Sequence, residues 1–229
     1  MQPTSVLGRL LREVSWEGNA KHYREGGRGF ENVLTAEVFQ ALDFLPRDAF
    51  LGAILRSATG GLRETLDRLA DEIEEARLNL LPGDLVLARS PRTGKATLTV
   101  QPDVIVETSN VYCLVEAKRI RRGAFQVEQL AREYVAALQE AGTRQPLVLL
   151  VLPDDPPVPI RGNGRMAVRD AVEFRLAAVM ERCAQELPSL EQLSERIDAV
   201  FAYTTWQRMS DQIERAQSRY ASAGDALSG

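Results

Sequence analysis

The sequence predicts an α/β domain: a mixed sheet of about five strands with helices on both faces, behind an N-terminal helical part. Three observations carry that prediction. Asp103 to Val106 and Val111 to Val115 are apolar runs rich in β-branched and aromatic residues, and the polar break Thr108-Ser109-Asn110 between them suits a hairpin turn. Pro146 to Leu152 (PLVLLVL) is the most continuously apolar run in the chain, as expected of a central strand covered on both faces. Between these lies a stretch of helical periodicity, Ala124 to Ala141, closed by Gly142, so strand, helix and strand form a right-handed crossover.

Taken in order, residues 1–30 form an extension ending in the glycine-rich loop Glu25-Gly26-Gly27-Arg28-Gly29. His22, Tyr23, Arg24 and Arg28 there are either phosphate contacts or part of a solvated loop. Residues 30–42 read as a helix, with Leu34, Val38, Leu42 and Leu45 at helical spacing and Glu31 in line with them. Pro46 breaks it. Two more helices follow over 47–58 and 61–78, separated by Gly60-Gly61; the charged side of the second is a solvated face. Pro82-Gly83-Asp84 is a turn. Leu85 to Ala88, Ala96 to Val100 and the Asp103 strand then read as an antiparallel meander of three strands. The crossover helix has the stripe Val127, Leu130, Ala131, Tyr134, Val135 and Leu138, with Gln126, Gln129 and Glu133 on a neighbouring side. After PLVLLVL, residues 154–165 are a Pro- and Gly-punctuated loop with Arg161, Arg165 and Arg169 at its far end. A helix runs from Ala167 to Leu187 and stops at Pro188. Asp198 to Tyr203 is a last strand, Thr204-Thr205 caps a helix from Trp206 to about Tyr220, and 222–229 is a flexible tail. Trp206 reads as a packing anchor.

With 229 residues the chain is one domain plus a small extension, and its net charge of −4 does not suit a protein that coats nucleic acid indiscriminately. No apolar run reaches the ~18 residues of a membrane span, so no membrane partner is expected. The N-terminus is too polar for a secretory signal. Cys113 and Cys183 read as buried thiols, which fits a reducing cytoplasm. The single histidine, His22, excludes a His-rich zinc site and argues against a Ser-His-Asp triad.

Chemistry concentrates at one end of the predicted hairpin. Strand side chains alternate faces, so Glu116 and Lys118 point one way and Ala117 the other, and pairing of the two runs brings Asp103 near Glu116. Two carboxylates and an ammonium meeting at strand ends are costly without a task or good partners. Carboxylate oxygens are hard ligands suited to Mg²⁺ or Mn²⁺. A lysine beside them can position a water or steady a phosphate in transit. The set fits metal-assisted hydrolysis of a phosphodiester. Next come Arg119, Arg121 and Arg122, which with Lys118 place four cations in five residues, suited to holding flanking phosphates or simply to solubility.

Pro102-Asp103, twelve intervening residues, then Glu116-Ala117-Lys118 resembles the signature of the PD-(D/E)xK nuclease superfamily, whose fold is restriction-endonuclease-like. The likeness covers roughly Glu31 to Tyr220, a nuclease-like domain placed at 31–221. It implies an Mg²⁺- or Mn²⁺-dependent deoxyribonuclease, most simply an endonuclease, with the metal on Asp103, Glu116 and the Ala117 carbonyl and with Lys118 at the scissile phosphate. It also implies that an acid of the first core helix, Glu31, reaches the site, unless that residue is only a first-turn acid favoured by the helix dipole. A polar residue of the following helix lines such sites, Gln129 first and Gln126 second; Gln126 joins Arg119, Arg121 and Arg122 as an expected nucleic-acid contact. The spacing of Gln129 and Tyr134 departs from the stricter Gln-x-x-x-Tyr version of that motif. Expected partners are DNA and, since many enzymes of this fold cut both strands as dimers, a second copy or a larger defence or repair complex. The alternatives are a catalytically silent module of this fold that binds nucleic acid or a partner protein, and an accidental motif whose charges are structural ion pairs.

Overall fold

The computed structural model describes the backbone at 29–89, 94, 96–118, 123–183 and 187–228, with side chains at 34–89, 94, 97–118, 123–183 and 187–219. The chain begins with helix α1 (Gly29–Phe44), a π-helical turn at Asp48–Gly52, α2 (Ala53–Ser57), strand β1 (Thr59–Gly60) and α3 (Arg63–Asp71). Strands β2 (Arg77–Leu80), β3 (Leu85–Arg89), β4 (Ala96–Val100), β5 (Val104–Glu107) and β6 (Val111–Ala117) follow, then α4 (Gln129–Ala141) and β7 (Gln145–Leu152). The last elements are the short strands β8 (Val158–Ile160) and β9 (Gly164–Met166), then α5 (Val168–Met180), α6 (Leu190–Val200), β10 (Phe201–Thr205) and α7 (Trp206–Ser228).

A mixed six-stranded sheet, ordered β1-β10-β7-β6-β5-β2, is the centre of the molecule. β5 and β6 form the expected antiparallel hairpin, and β6 and β7 pair in parallel on either side of α4, as the crossover requires. β7 is flanked by β6 and β10 and is buried along 147–152, which explains its unbroken apolar sequence. Alternation divides the sheet into two cores. Val104, Val106, Val111, Cys113, Val115 and Ala117 face α1, α2, α3 and α7. Ile105, Tyr112 and Leu114 face α4, α5 and α6. Gly142 ends α4 at φ +59, a left-handed value that favours glycine. On α1 the buried residues are Thr35, Ala36, Phe39 and Leu42, while Leu45 is exposed, so the inward stripe is rotated from the expected Leu34-Val38-Leu42-Leu45 line.

Several elements depart from the expectation. Residues 61–78 are not one helix: α3 stops at Asp71, and Arg77–Leu80 forms β2 against β5. The Glu-Glu-Ala-Arg stretch has helical propensity, but an unpaired β5 edge offers a ladder, and tertiary pairing overrides local preference. The meander is consequently β2-β5-β6, and β3-β4 is a separate two-stranded sheet laid against α4. Pro102, with no N–H to donate, stands between β4 and β5, and bulges at Val86, Ala88 and Arg89 twist the hairpin away. α4 begins at Gln129 rather than Ala124, because Phe125 bridges to Ile160. α5 ends at Met180, seven residues short of the predicted stop at Leu187. A further helix, α6, precedes β10; its Ser189 hydroxyl and Gln192 side chain form a capping box. Thr205 caps α7 as expected, its Oγ1 accepting from the Arg208 N–H at 3.1 Å. α7 is continuous to Ser228, through the stretch expected as a tail; Ala221, Ala223 and Ala226 favour the helix. No helix among the described residues is long and apolar enough to cross a membrane.

Candidate functional site

Strand parity assembles the site. Glu116 and Lys118 share the face of Tyr112 and Leu114, and Asp103 shares that of Ile105, so all three belong to the side of the sheet that α4 covers. Asp103 lies where β5 gives out. Its Oδ2 accepts the Ala117 N–H at 2.8 Å, a side chain replacing the backbone acceptor that the ladder no longer supplies. A strand residue's N–H and C=O project to the same edge, so the Ala117 carbonyl turns toward Asp103, while the Lys118 N–H turns the other way, to the Val151 carbonyl at 2.8 Å.

Glu116 Oε1 accepts two short hydrogen bonds, from Lys118 Nζ and Gln129 Nε2, both at 2.5 Å. The same Gln129 nitrogen donates its other hydrogen to Glu133 Oε1 at 2.8 Å. Gln129 Oε1 in turn accepts the Gln126 backbone N–H at 3.3 Å, which fixes the orientation of the amide. Lys118 has its ammonium 4.8 Å from the centre of the Phe125 ring, a cation–π contact, and its carbonyl accepts the Trp206 indole N–H at 2.7 Å. Trp206 is thus a packing residue that also pins the end of β6.

The cluster is nearly dry: Asp103, Glu116, Lys118 and Glu133 are 5, 6, 8 and 2% exposed. Its described charged groups are three carboxyls and one ammonium. Burial, then the Glu116 charge, pushes the Glu133 carboxyl well above the ordinary glutamate range, with Asp103 adding to the rise and Lys118 and the Gln129 hydrogen bond opposing it. Glu133 Oε2 is buried with no hydrogen-bond partner. A cleft of about 310 Å³ between the β3-β4 hairpin and α4 reaches Gln129 and Glu133 of the cluster and is lined further by Asp84, Gln101, Gln126 and Arg132.

The structure therefore brings Asp103, Glu116, Lys118 and Gln129 together and puts Gln126 on the wall of the cleft. Arg119, Arg121 and Arg122 lie outside the described residues, as does the Glu31 side chain, whose backbone belongs to α1. Glu133 and Arg132 were missed as site residues. The available signal was helical spacing, since both follow Gln129 at i+3 and i+4 on the same face. Cys113 is fully buried, its thiol pushed up to about 12 by desolvation, and takes no part.

Among the described residues no group of three or more His, Cys, Asp or Glu side chains is arranged to hold a metal. The donor set offered is two carboxylates and a backbone carbonyl, all hard oxygens. That combination fits Mg²⁺ or Mn²⁺. Comparison of the chain with protein-family models, with curated proteins and with solved structures finds no match among any of them.

Proposed function

We propose that this protein is an Mg²⁺- or Mn²⁺-dependent nuclease that hydrolyses phosphodiester bonds in DNA, an endonuclease of the restriction-endonuclease-like fold. One observation carries the reading: in a nearly dry corner at the end of β6, Asp103, Glu116, Lys118 and Glu133 come together, and Gln129 and Glu133 reach the wall of a cleft. Buried carboxylates are stabilised by a cation, by donors or by protonation. The fold's strand–helix–strand crossover and the Pro102-Asp103 … Glu116-Ala117-Lys118 pattern point the same way.

In this reading Asp103, Glu116 and the Ala117 carbonyl hold the metal. Bound there, a divalent cation supplies Lewis-acid stabilisation of the phosphate and an activated water. Lys118, fixed by Glu116, Phe125 and the backbone bonds of its own peptide, presents its ammonium to the charge that builds on the phosphate. Gln129 holds Glu116 and is itself held by Glu133. DNA, a second copy of the chain and a larger complex remain the proposed partners. The test is direct: purified protein with Mg²⁺ or Mn²⁺ cuts plasmid DNA, chelation stops it, and Asp103→Ala or Lys118→Ala abolishes it. Equal cutting by Lys118→Ala removes that residue from the chemistry.

A second reading is favoured by the hydrogen bonding itself. Glu116 and Asp103 already have protein donors on them, which suits a catalytically silent module that binds nucleic acid or a partner protein. Metal-independent retention of DNA in a gel shift, without cleavage in any divalent cation, would establish it.

A further inference from the structure

The cleft holds a cation that the proposed chemistry leaves unused. Arg132 stands on α4 between Gln129 and Glu133, and the three line one wall. Its Nη1 donates to the Thr99 carbonyl of β4 at 3.3 Å, and its Nε is buried with no hydrogen-bond partner. A guanidinium has five N–H donors. Only this one side-chain bond to protein is made by Arg132 among the described residues. Several arginines of the fold, Arg47, Arg56, Arg144, Arg169, Arg182 and Arg208, each pair with a carboxylate. Arg132 pairs with none, although Asp84 and Glu133 line the same cleft. It is held by β4 with its planar fork uncommitted, the arrangement that suits a phosphate.

The dimensions narrow the ligand further. At about 310 Å³ the cleft lies at the small end of ligand cavities, which run from about 300 to 1,000 Å³. A single nucleotide unit fits that volume, and Glu133 on its wall is 2% exposed.

Resting on the nuclease reading above, we infer that the cleft admits a single unpaired DNA strand and that Arg132 binds a phosphate next to the scissile one. The substrate is then single-stranded DNA or an unpaired segment of a duplex.

The test uses the full chain, a fluorescein-labelled single-stranded oligodeoxynucleotide and a blunt duplex of the same sequence. Affinity is read by anisotropy in EDTA over a range of salt, and cleavage in Mg²⁺. The wild type should prefer the single strand in both assays. Arg132→Ala should weaken single-strand binding about tenfold, the loss of one charge-assisted contact. It should also flatten the log–log salt dependence by about 0.7, the share of one phosphate on a single strand. Arg132→Lys, which keeps the charge and loses the fork, should retain the slope with an intermediate affinity. If Arg132 only latches the hairpin to α4, Arg132→Ala lowers the melting temperature and leaves affinity and slope of the folded protein unchanged, which overturns the inference. Should Arg132→Ala not fold, Arg132→Gln replaces it, with the same loss of slope expected and an unchanged slope counting against. Equal handling of duplex and single strand overturns the unpaired-strand assignment while leaving the nuclease reading intact. A wild type that neither binds nor cuts any strand removes both.

Discussion

Two of the charged depressions on the surface differ in what their charges are doing. The larger, about 610 Å³, runs along α3 and is lined by Arg63, Glu64, Asp67, Arg68, Asp71 and Glu72. Its charges are exposed and paired at helical spacing, Arg63 with Asp67 and Arg68 with Glu64, or across to the preceding turn, Arg56 with Asp71. The smaller cleft beside α4 is lined by Glu133, a buried acid joined through the Gln129 amide to the buried Glu116. Exposed pairs of the first kind are worth roughly 0–1 kcal/mol. The second arrangement raises the Glu133 carboxyl well above the ordinary glutamate range, chiefly by burial. Size alone points to the α3 depression; buried charge points to the cleft beside α4.

Substitutions should separate the two sharply. The largest effect is expected at the end of β6: Lys118→Ala lowers kcat for DNA cleavage by roughly a thousandfold, the scale of losing a preorganised electrostatic contact. Asp67→Ala in the α3 depression leaves the rate unchanged. Single-turnover cleavage assays measure both, and a comparable loss in each would dissolve the contrast.

Next in size is Glu133. Glu133→Ala removes one of the two acceptors that orient the Gln129 amide and should reduce kcat by about 10–100-fold, the cost of an unsatisfied buried donor. Glu133→Gln keeps an acceptor for that donor and should stay within a few-fold of wild type. A Glu133→Gln protein as inactive as Glu133→Ala would show that the charge, not the hydrogen bond, matters.

The same pair gives a pH prediction. Burial raises the Glu133 carboxyl in the folded protein above its value of about 4.5 in an unfolded chain. Between those two values the folded state holds the proton more tightly. Folding stability in chelator should therefore fall as pH rises through that window and level off above it. Glu133→Gln cannot ionise and should lack this decline. Urea melts of both proteins across the pH range provide the check.

A smaller effect is expected at Trp206. Trp206→Phe keeps a ring on the core and deletes the indole donor to the Lys118 carbonyl, costing about 1 kcal/mol of stability. The smallest belongs to α3, where Arg68→Ala should change stability by no more than about 0.5 kcal/mol, because its partner Glu64 is well exposed. Thermal melts measure both.

The contrast also shows where sequence reasoning reaches. Asp103, Glu116 and Lys118 were legible because strand parity is strict: two residues apart on β6 means one face, and a hairpin partner brings the third. Gln129 followed from the resemblance. Glu133 carries the ordinary helical look of an exposed glutamate, and only the depth of α4 in the fold makes it a buried acid. The α3 face was readable for the opposite reason, since i,i+4 pairs are local. Errors fell where pairing between distant segments decides the outcome. Arg77–Leu80 has no alternation strong enough to announce β2 before β5 is in place, and the departure of β3-β4 from the sheet depends on Pro102 and two bulges. The helix α6 did carry a local sign, Ser189 three residues before Gln192, that was passed over.

The central claim is that the buried carboxylates at the end of β6 hold a divalent cation. Anomalous diffraction from a crystal soaked in Mn²⁺ tests it most directly. The account predicts a peak between Asp103 and Glu116, in contact with the Ala117 carbonyl and absent from Asp103→Ala. Manganese elsewhere on the molecule, with that position empty and the Glu116 carboxylate still bound to Lys118 and Gln129, would contradict it.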